Sequence, residues 1–370
     1  MFNYNFHTRP IESTLKFWEK LCLHLGGVNI TYVNVPNENS LIEILTQSNK
    51  PDLYLFDFSG EAIYDEDSLL NKFSYLIDRP FISLSCNPKW FFKEHENKVF
   101  LPSWYFDVYY TNLAHKQTSF SSNKQYLVSC LNRAVKVPRI YNLVKLHKFQ
   151  QLENKDLLIT FKPYDVYINN STIPPNDDSR IIYPQDVDWS ILENGFGTGR
   201  NHNFTDQVND IKHTYTFLFN ELPLNPLGEN LSEVLDDHTI VHPAYLSSFS
   251  NLITESITYN IFYTEKTFKA LAVGMPFWLQ CGTNSALYLD LFGFDTYSDI
   301  DLFDYSQYDT TLNFIERTNE ITARVNALLT EKNTIDISNR QLANQEMFYS
   351  EQTYNIFFQH LLGKIKKVIG

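Results

Sequence analysis

The chain has little of what usually announces an activity. It holds four cysteines in 370 residues, Cys22, Cys86, Cys130 and Cys281, with no CxxC pair among them. Such spacing reads as reduced core thiols of a cytosolic protein. Positive charge is also short. Thirty Lys and Arg against 43 Asp and Glu leave a formal net charge of −13, which disfavours non-specific nucleic-acid binding but leaves room for a local basic groove. No apolar run reaches the ~18 residues of a membrane span, and the N-terminus lacks a charged segment followed by an apolar one. His202, His213, His238 and His242 are too scattered for a zinc pattern, and no metal is expected. There is no Gly-x-Ser-x-Gly elbow, no Cys-His signature and no internal repeat. These absences describe a soluble, cytoplasmic protein (host cytoplasm if viral) without a membrane span.

Aromatic residues, in contrast, are plentiful. With 23 Tyr and 29 Phe, burying a full core is not in doubt, and the length accommodates two domains. The first half alternates helical and strand-like stretches. Residues 11–26 are helical in period, with Phe17, Leu21 and Leu25 on one face and Gly26-Gly27 as a stop. Val28–Val35 reads as a strand and Glu38–Ser48 as a helix. Leu53–Phe58 is an apolar strand that runs into Asp57, Phe58 and Glu61; a helix over 67–77 and the strand Phe81–Ser85 follow. The aromatic stretch Leu101–Tyr110 is expected as a further strand, and the polar segment 117–124 as a linker. Strands apolar on both faces, alternating with helices, point to parallel sheets.

The second half repeats the pattern: strand Gln125–Leu131, helix 138–150, strand Leu157–Phe161. A long polar segment, 163–235, resists assignment apart from a short helix near 228–236; Ile240–His242 is a candidate strand. The stretch Asn251–Gln280 then reads as strand, loop, amphipathic helix and strand, with Thr264 as N-cap, Glu265 in the first turn and Gly274 as the stop. Helices are expected at 285–292, 311–329 and through most of 337–369.

Four constellations invite chemistry. Thr264-Glu265-Lys266 with Glu255 puts a cation near a helix start at a strand end, which suits a diphosphate, beside a carboxylate able to accept ribose hydroxyls; a surface Glu–Lys pair is the bland reading. Asn132-Arg133 and Arg139 bring guanidinium groups to a second strand end, either as phosphate clamps or as solvated side chains. Gly195–Arg200, GFGTGR, resembles a phosphate loop but lacks a Walker lysine, and a lid suits it better. Asp299-Ile300-Asp301 matches a D-x-D pattern and reads as a solvated turn.

Glu255, then ten residues on Glu265 within Tyr263-Thr264-Glu265-Lys266, then Phe268, Ala270 and Gly274, resembles the donor-binding signature of the alpha-1,3-fucosyltransferases. Upstream, Val128–Asn132 followed by Arg139 and Leu143 resembles the strand and Arg-bearing helix of that family. The chain departs from the pattern after Glu255, where Ser256-Ile257 stand in place of Asn-Ser. It also departs in the place of the tyrosine and in the spacing of Gly274 and Pro276. The resemblance implies an α/β, GT-B-like architecture: two Rossmann-like domains whose parallel sheets face a cleft. Residues 1–122 would form the acceptor domain, 123–345 the donor domain, and 346–370 a helix returning to the first. It implies a metal-independent hexosyl- or fucosyltransferase-like enzyme taking a GDP- or UDP-linked sugar, with no further cofactor. Asn132, Arg133, Arg139, Thr264, Glu265 and Lys266 would bind the donor; Glu255 would lie near the sugar or diphosphate. Asp57 and Glu61 are the candidate bases. The acceptor would be a glycan or lipid-linked saccharide. One alternative is DNA, as in phage-type glucosylation of a hydroxymethylated base, met by the lysines of 89–98 and Trp90-Phe91-Phe92. The other is a non-catalytic carbohydrate- or nucleotide-binding protein.

Overall fold

A computed structural model describes residues 2–5, 12–34, 38–58, 66–132, 136–161, 184–187, 189, 205–221, 240–255, 261–304, 306, 309 and 314–370. It is a mixed α/β protein with two parallel sheets. The first half runs β1 (Phe2–Asn5), α1 (Glu12–Leu25), β2 (Ile30–Asn34), α2 (Glu38–Leu45), β3 (Leu53–Asp57), α3 (Glu66–Lys72), β4 (Phe81–Ser85), α4 (Lys89–Phe92), β5 (Lys98–Phe100) and α5 (Ser103–Asn112). Its five strands lie in sequence order, β1-β2-β3-β4-β5. Every residue of β3 is buried, as a parallel strand covered on both faces requires. Leu53 and Leu55 face the core shared with α1 and α5, whereas Tyr54 and Phe56 face a separate cluster with α2 and α3.

The second half runs β6 (Tyr126–Leu131), α6 (Val137–Lys148), β7 (Leu157–Thr160), α7 (Thr205–Leu218), α8 (Pro243–Ser247), β8 (Ser248–Thr254), α9 (Glu265–Ala272), β9 (Phe277–Gln280), α10 (Ser285–Leu291), α11 (Phe314–Glu331), α12 (Ser338–Phe348) and α13 (Glu351–Ile369). Its strand order is β7-β6-β8-β9. The chain moves outward from β6 to β7, then returns to the other side of β6 for β8. In open α/β sheets such a reversal leaves a crevice at the carboxyl ends of the two flanking strands, and ligands bind there.

Two expectations need correction. Leu101–Tyr110 is not a strand: Pro102 precedes a helix, α5, and Tyr105, Val108 and Asn112 form its buried stripe at i, i+3, i+7. The β preference of Trp, Tyr and Phe obscured that period. The strand actually there is the three-residue β5, just upstream. Ile240–His242 is irregular and leads into α8, with the His242 imidazole accepting the Ala244 N–H. The strand β1 has no counterpart in the reading of the sequence. The proposed helix at 228–236 and the GFGTGR loop lie outside the described residues.

The halves meet through aromatic side chains. The Tyr105 ring packs 5.9 Å from Phe268 of α9, and its hydroxyl donates to the Phe348 carbonyl at 2.9 Å. Helix α13 lies against the first half, with Phe358 5.8 Å from Phe17 and Phe357 5.9 Å from Phe100. Among the described residues no helix is long and apolar enough to cross a membrane.

Candidate functional site

The candidate site lies where β6 and β8 end. Glu255 is the first residue after β8 and is wholly buried. Its backbone N–H is held by the Gln280 carbonyl at 3.0 Å, so β9 fixes where the side chain starts. One carboxylate oxygen accepts the Thr264 N–H at 2.9 Å and the Thr267 hydroxyl at 2.5 Å; the other accepts the Thr264 hydroxyl at 2.6 Å. A buried carboxylate is tolerated only with such partners. Glu255 therefore ties the end of β8 to the first turn of α9. Its oxygens are committed to Thr264 and Thr267, so it positions that turn; the resemblance had placed it near the sugar or diphosphate.

Thr264 caps α9. Its hydroxyl donates to Glu255 and accepts from the Lys266 N–H at 3.4 Å and the Lys266 ammonium at 3.0 Å. Lys266 Nζ also lies 2.9 Å from Glu265 and 3.9 Å from Glu255. The Lys266 and Glu265 side chains keep 18% and 14% of their surface in solvent, so these are the two members of the cluster a ligand can reach. Two carboxylates around one ammonium leave the cluster formally negative, and a diphosphate would need a second cation.

Helix α6 supplies a guanidinium nearby. Arg139 and Asn142 are one turn apart on its buried face. The Asn142 amide donates to Gln280 at 2.6 Å and to Thr254 at 2.8 Å, and Gln280 donates back at 2.7 Å. This reciprocal amide pair seats α6 over the ends of β8 and β9. Arg139, only 4% exposed, lies close enough to Cys130 for its charge to act on the thiol. Burial is the larger influence and pushes the Cys130 thiol up to about 12. Asn132, just past β6, is buried, with its N–H on Thr160 and its amide 3.1 Å from the Cys130 sulfur. It braces the strand end. Arg133 lies outside the described residues.

One neighbour escaped notice in the sequence. Tyr245 of α8 is buried beside this cluster, and its hydroxyl is held well above its ordinary range. Burial is the main cause and the Glu265 charge the next; Glu255 adds to it, and a hydrogen bond with Asn251 opposes it. Nothing in the spacing around Tyr245 marks it, because only the fold brings α8 to the end of β8.

The candidate bases fare differently. Asp57 ends β3, is 6% exposed, and accepts a hydrogen bond from the Tyr32 hydroxyl. It faces the layer under α1 and α5. The Tyr32 hydroxyl is raised well above its usual value by burial first, then by Asp57, and further by Asp107 of α5. Glu61 lies outside the described residues. Asp299, of the D-x-D pattern, is bonded with Asp295 to Arg340, a surface strap. Among the described residues no group of three or more His, Cys, Asp or Glu is placed to hold a metal ion. The four cysteines are free, and three of them are buried.

Gly274 has a packing reason of its own. Its φ is +63°, and a Cβ there would lie 1.9 Å from the Gln341 carbonyl oxygen of α12. Only glycine permits this contact. Comparison of the chain with family profiles, with curated proteins and with solved structures finds no match.

Proposed function

We propose that this protein is a glycosyltransferase of GT-B architecture that binds a nucleoside-diphosphate sugar at the carboxyl ends of β6 and β8. The observation that carries the reading is the Glu255–Thr264–Glu265–Lys266 cluster, which lies beside the strand-order reversal and keeps Lys266 and Glu265 within reach of solvent. In this reading the diphosphate takes Lys266 from Glu265, and Glu265 turns to the ribose hydroxyls. Arg139, with Arg133, supplies the second cation. Positive charge set against a departing phosphate lowers the energy of the leaving nucleotide. Glu255 and Thr264 touch no reacting atom; they hold the turn that presents Lys266. The base that takes the acceptor proton would come from the first half across a cleft, from Asp57 or Glu61. Asp57 would first have to exchange its Tyr32 partner for the acceptor hydroxyl. The acceptor would be a glycan or a lipid-linked saccharide in the cytoplasm.

A panel of GDP, UDP, CMP and ADP in a thermal-unfolding assay tests the reading. One diphosphate at a hundred times its dissociation constant should stabilise the protein by about 2.7 kcal/mol. Lys266→Ala should remove that shift and leave the unliganded melting temperature within a degree or so. No shift with any nucleotide sinks the reading. A shift without transfer or donor hydrolysis turns it into the binding-protein alternative.

A further inference from the structure

We infer that the corner formed by α4, α10 and the end of α13 is a docking surface for an anionic lipid bilayer. The inference does not depend on the glycosyltransferase reading. Phe92, Leu287 and Leu291 are 47%, 51% and 56% exposed. They form one patch. On α10, Leu287 and Leu291 are i and i+4, and Tyr288 lies between them and the buried face. The Phe92 ring packs 5.7 Å from Tyr288 and 5.3 Å from Phe292, joining α4 to that edge of α10.

The charge around the patch runs against that of the chain. Lys89 and Lys93 flank Phe92 and are exposed. Lys364 donates to the His95 carbonyl and Lys367 pairs with Glu94, which brings the exposed Lys366 and Lys367 of α13 to the same corner. Arg79 and Lys367 stand on the walls of an adjoining groove of about 750 Å³. Glu94 and Glu96 also line that groove, and Asp290 is exposed on α10. Six cations (Lys89, Lys93, Lys364, Lys366, Lys367 and Arg79) thus meet three anions, in a chain whose formal net charge is −13. Exposed aliphatic and aromatic side chains beside clustered lysines are what a monotopic contact with anionic headgroups requires.

Two other occupants fit less well. A nucleic acid would want a row of open rings for stacking; Phe92 offers one, whereas the neighbouring Trp90 indole is covered by Lys89 and Lys98, whose ammonium groups lie 4.5 and 4.8 Å from its centroid. A second copy related by a two-fold axis would set one lysine rim against another.

The test is vesicle flotation of the full chain with phosphatidylcholine alone and with phosphatidylcholine containing phosphatidylserine, at low and high salt. Binding is expected only with phosphatidylserine and is expected to weaken with salt. The triple variant Phe92→Ser, Leu287→Ser, Leu291→Ser and the pair Lys89→Glu, Lys93→Glu should each weaken it about tenfold or more. The lysine pair should keep the wild-type melting temperature, and the triple variant should stay folded with a loss of a few degrees, because Phe92 gives up its packing on Tyr288 and Phe292. Three results each overturn the inference: no flotation with the anionic vesicles, flotation untouched by both variants, or a patch that instead governs duplex-DNA binding or dimerisation.

Discussion

The two sheets are built from the same kind of strand, short and parallel, with β3 and β8 buried along their whole length, yet they differ in order. The first runs in sequence order from β1 to β5, so among the described strands no crevice opens between neighbours at their carboxyl ends. Its buried carboxylate there, Asp57, is turned into the core and held by Tyr32. In the second sheet the direction reverses at β6, and the residues at the reversal are polar and cross-braced: Asn132, Thr254, Glu255 and Gln280. The difference teaches that a carboxylate at a strand end is not a site by itself. Among the described residues, what surrounds Glu255 and not Asp57 is a capped helix start with a solvent-reachable lysine.

Substitutions can strain that contrast. The largest effect is expected from Gly274→Ala, where a positive φ and a Cβ 1.9 Å from a backbone oxygen should together cost about 4 kcal/mol in urea unfolding. Gly26→Ala in the first half also has a positive φ, but nothing lies within 4 Å of its Cβ, so about 1 kcal/mol is expected. Equal losses at the two glycines would refute the close-approach account. Next, Glu255→Ala should cost about 3 kcal/mol, because the Thr264 N–H and two threonine hydroxyls lose their acceptor in a dry site; any nucleotide-induced thermal shift should go with it. Asp57→Ala removes the carboxylate that the Tyr32 hydroxyl donates to, should cost about 2 kcal/mol, and should leave nucleotide binding intact. If Asp57→Ala abolishes nucleotide binding and Glu255→Ala spares it, the two sheets have been assigned the wrong way round.

The smallest effect is one of pH. His360 of α13 lies tilted against Phe91 at 4.4 Å, and burial lowers it from its ordinary 6.5, with a push from Lys364 and an opposing hydrogen bond to the Trp90 backbone. A depressed histidine favours the folded state while neutral. Its contribution is full above about 6.5 and is lost as pH falls through the lower folded value. His360→Gln should flatten stability across that window. An unchanged pH profile would show that the ring titrates freely.

Much of the second half was legible in the sequence because its signals are local. Thr264 caps, Glu265 occupies the first turn, and Phe268, Leu271 and Ala272 make the buried stripe of α9, each readable from neighbours a turn apart. The first half was less so. The aromatic run of α5 carries β preference on a helical period, and the packing of Tyr105 against α9 and α13 outweighs preference. Strand order was not legible at all, since it is set by which strands pair across long intervals. For the same reason Tyr245 went unseen, and so did the bonds that tie the Glu255 carboxylate to Thr264 and Thr267.

Gly274 and α13 also bear on how the chain is made. The strands of the first sheet leave the ribosome long before α13, yet the face under Phe17 and Phe100 is closed by Phe357 and Phe358 of that 19-residue helix. The turn at Gly274 is likewise backed by Gln341, far downstream. A nascent chain therefore carries both halves unfinished until α13 has emerged, exposing apolar surface meanwhile. Chaperone demand during translation, rather than the stability of the finished protein, then becomes the quantity most sensitive to a stop placed before α13.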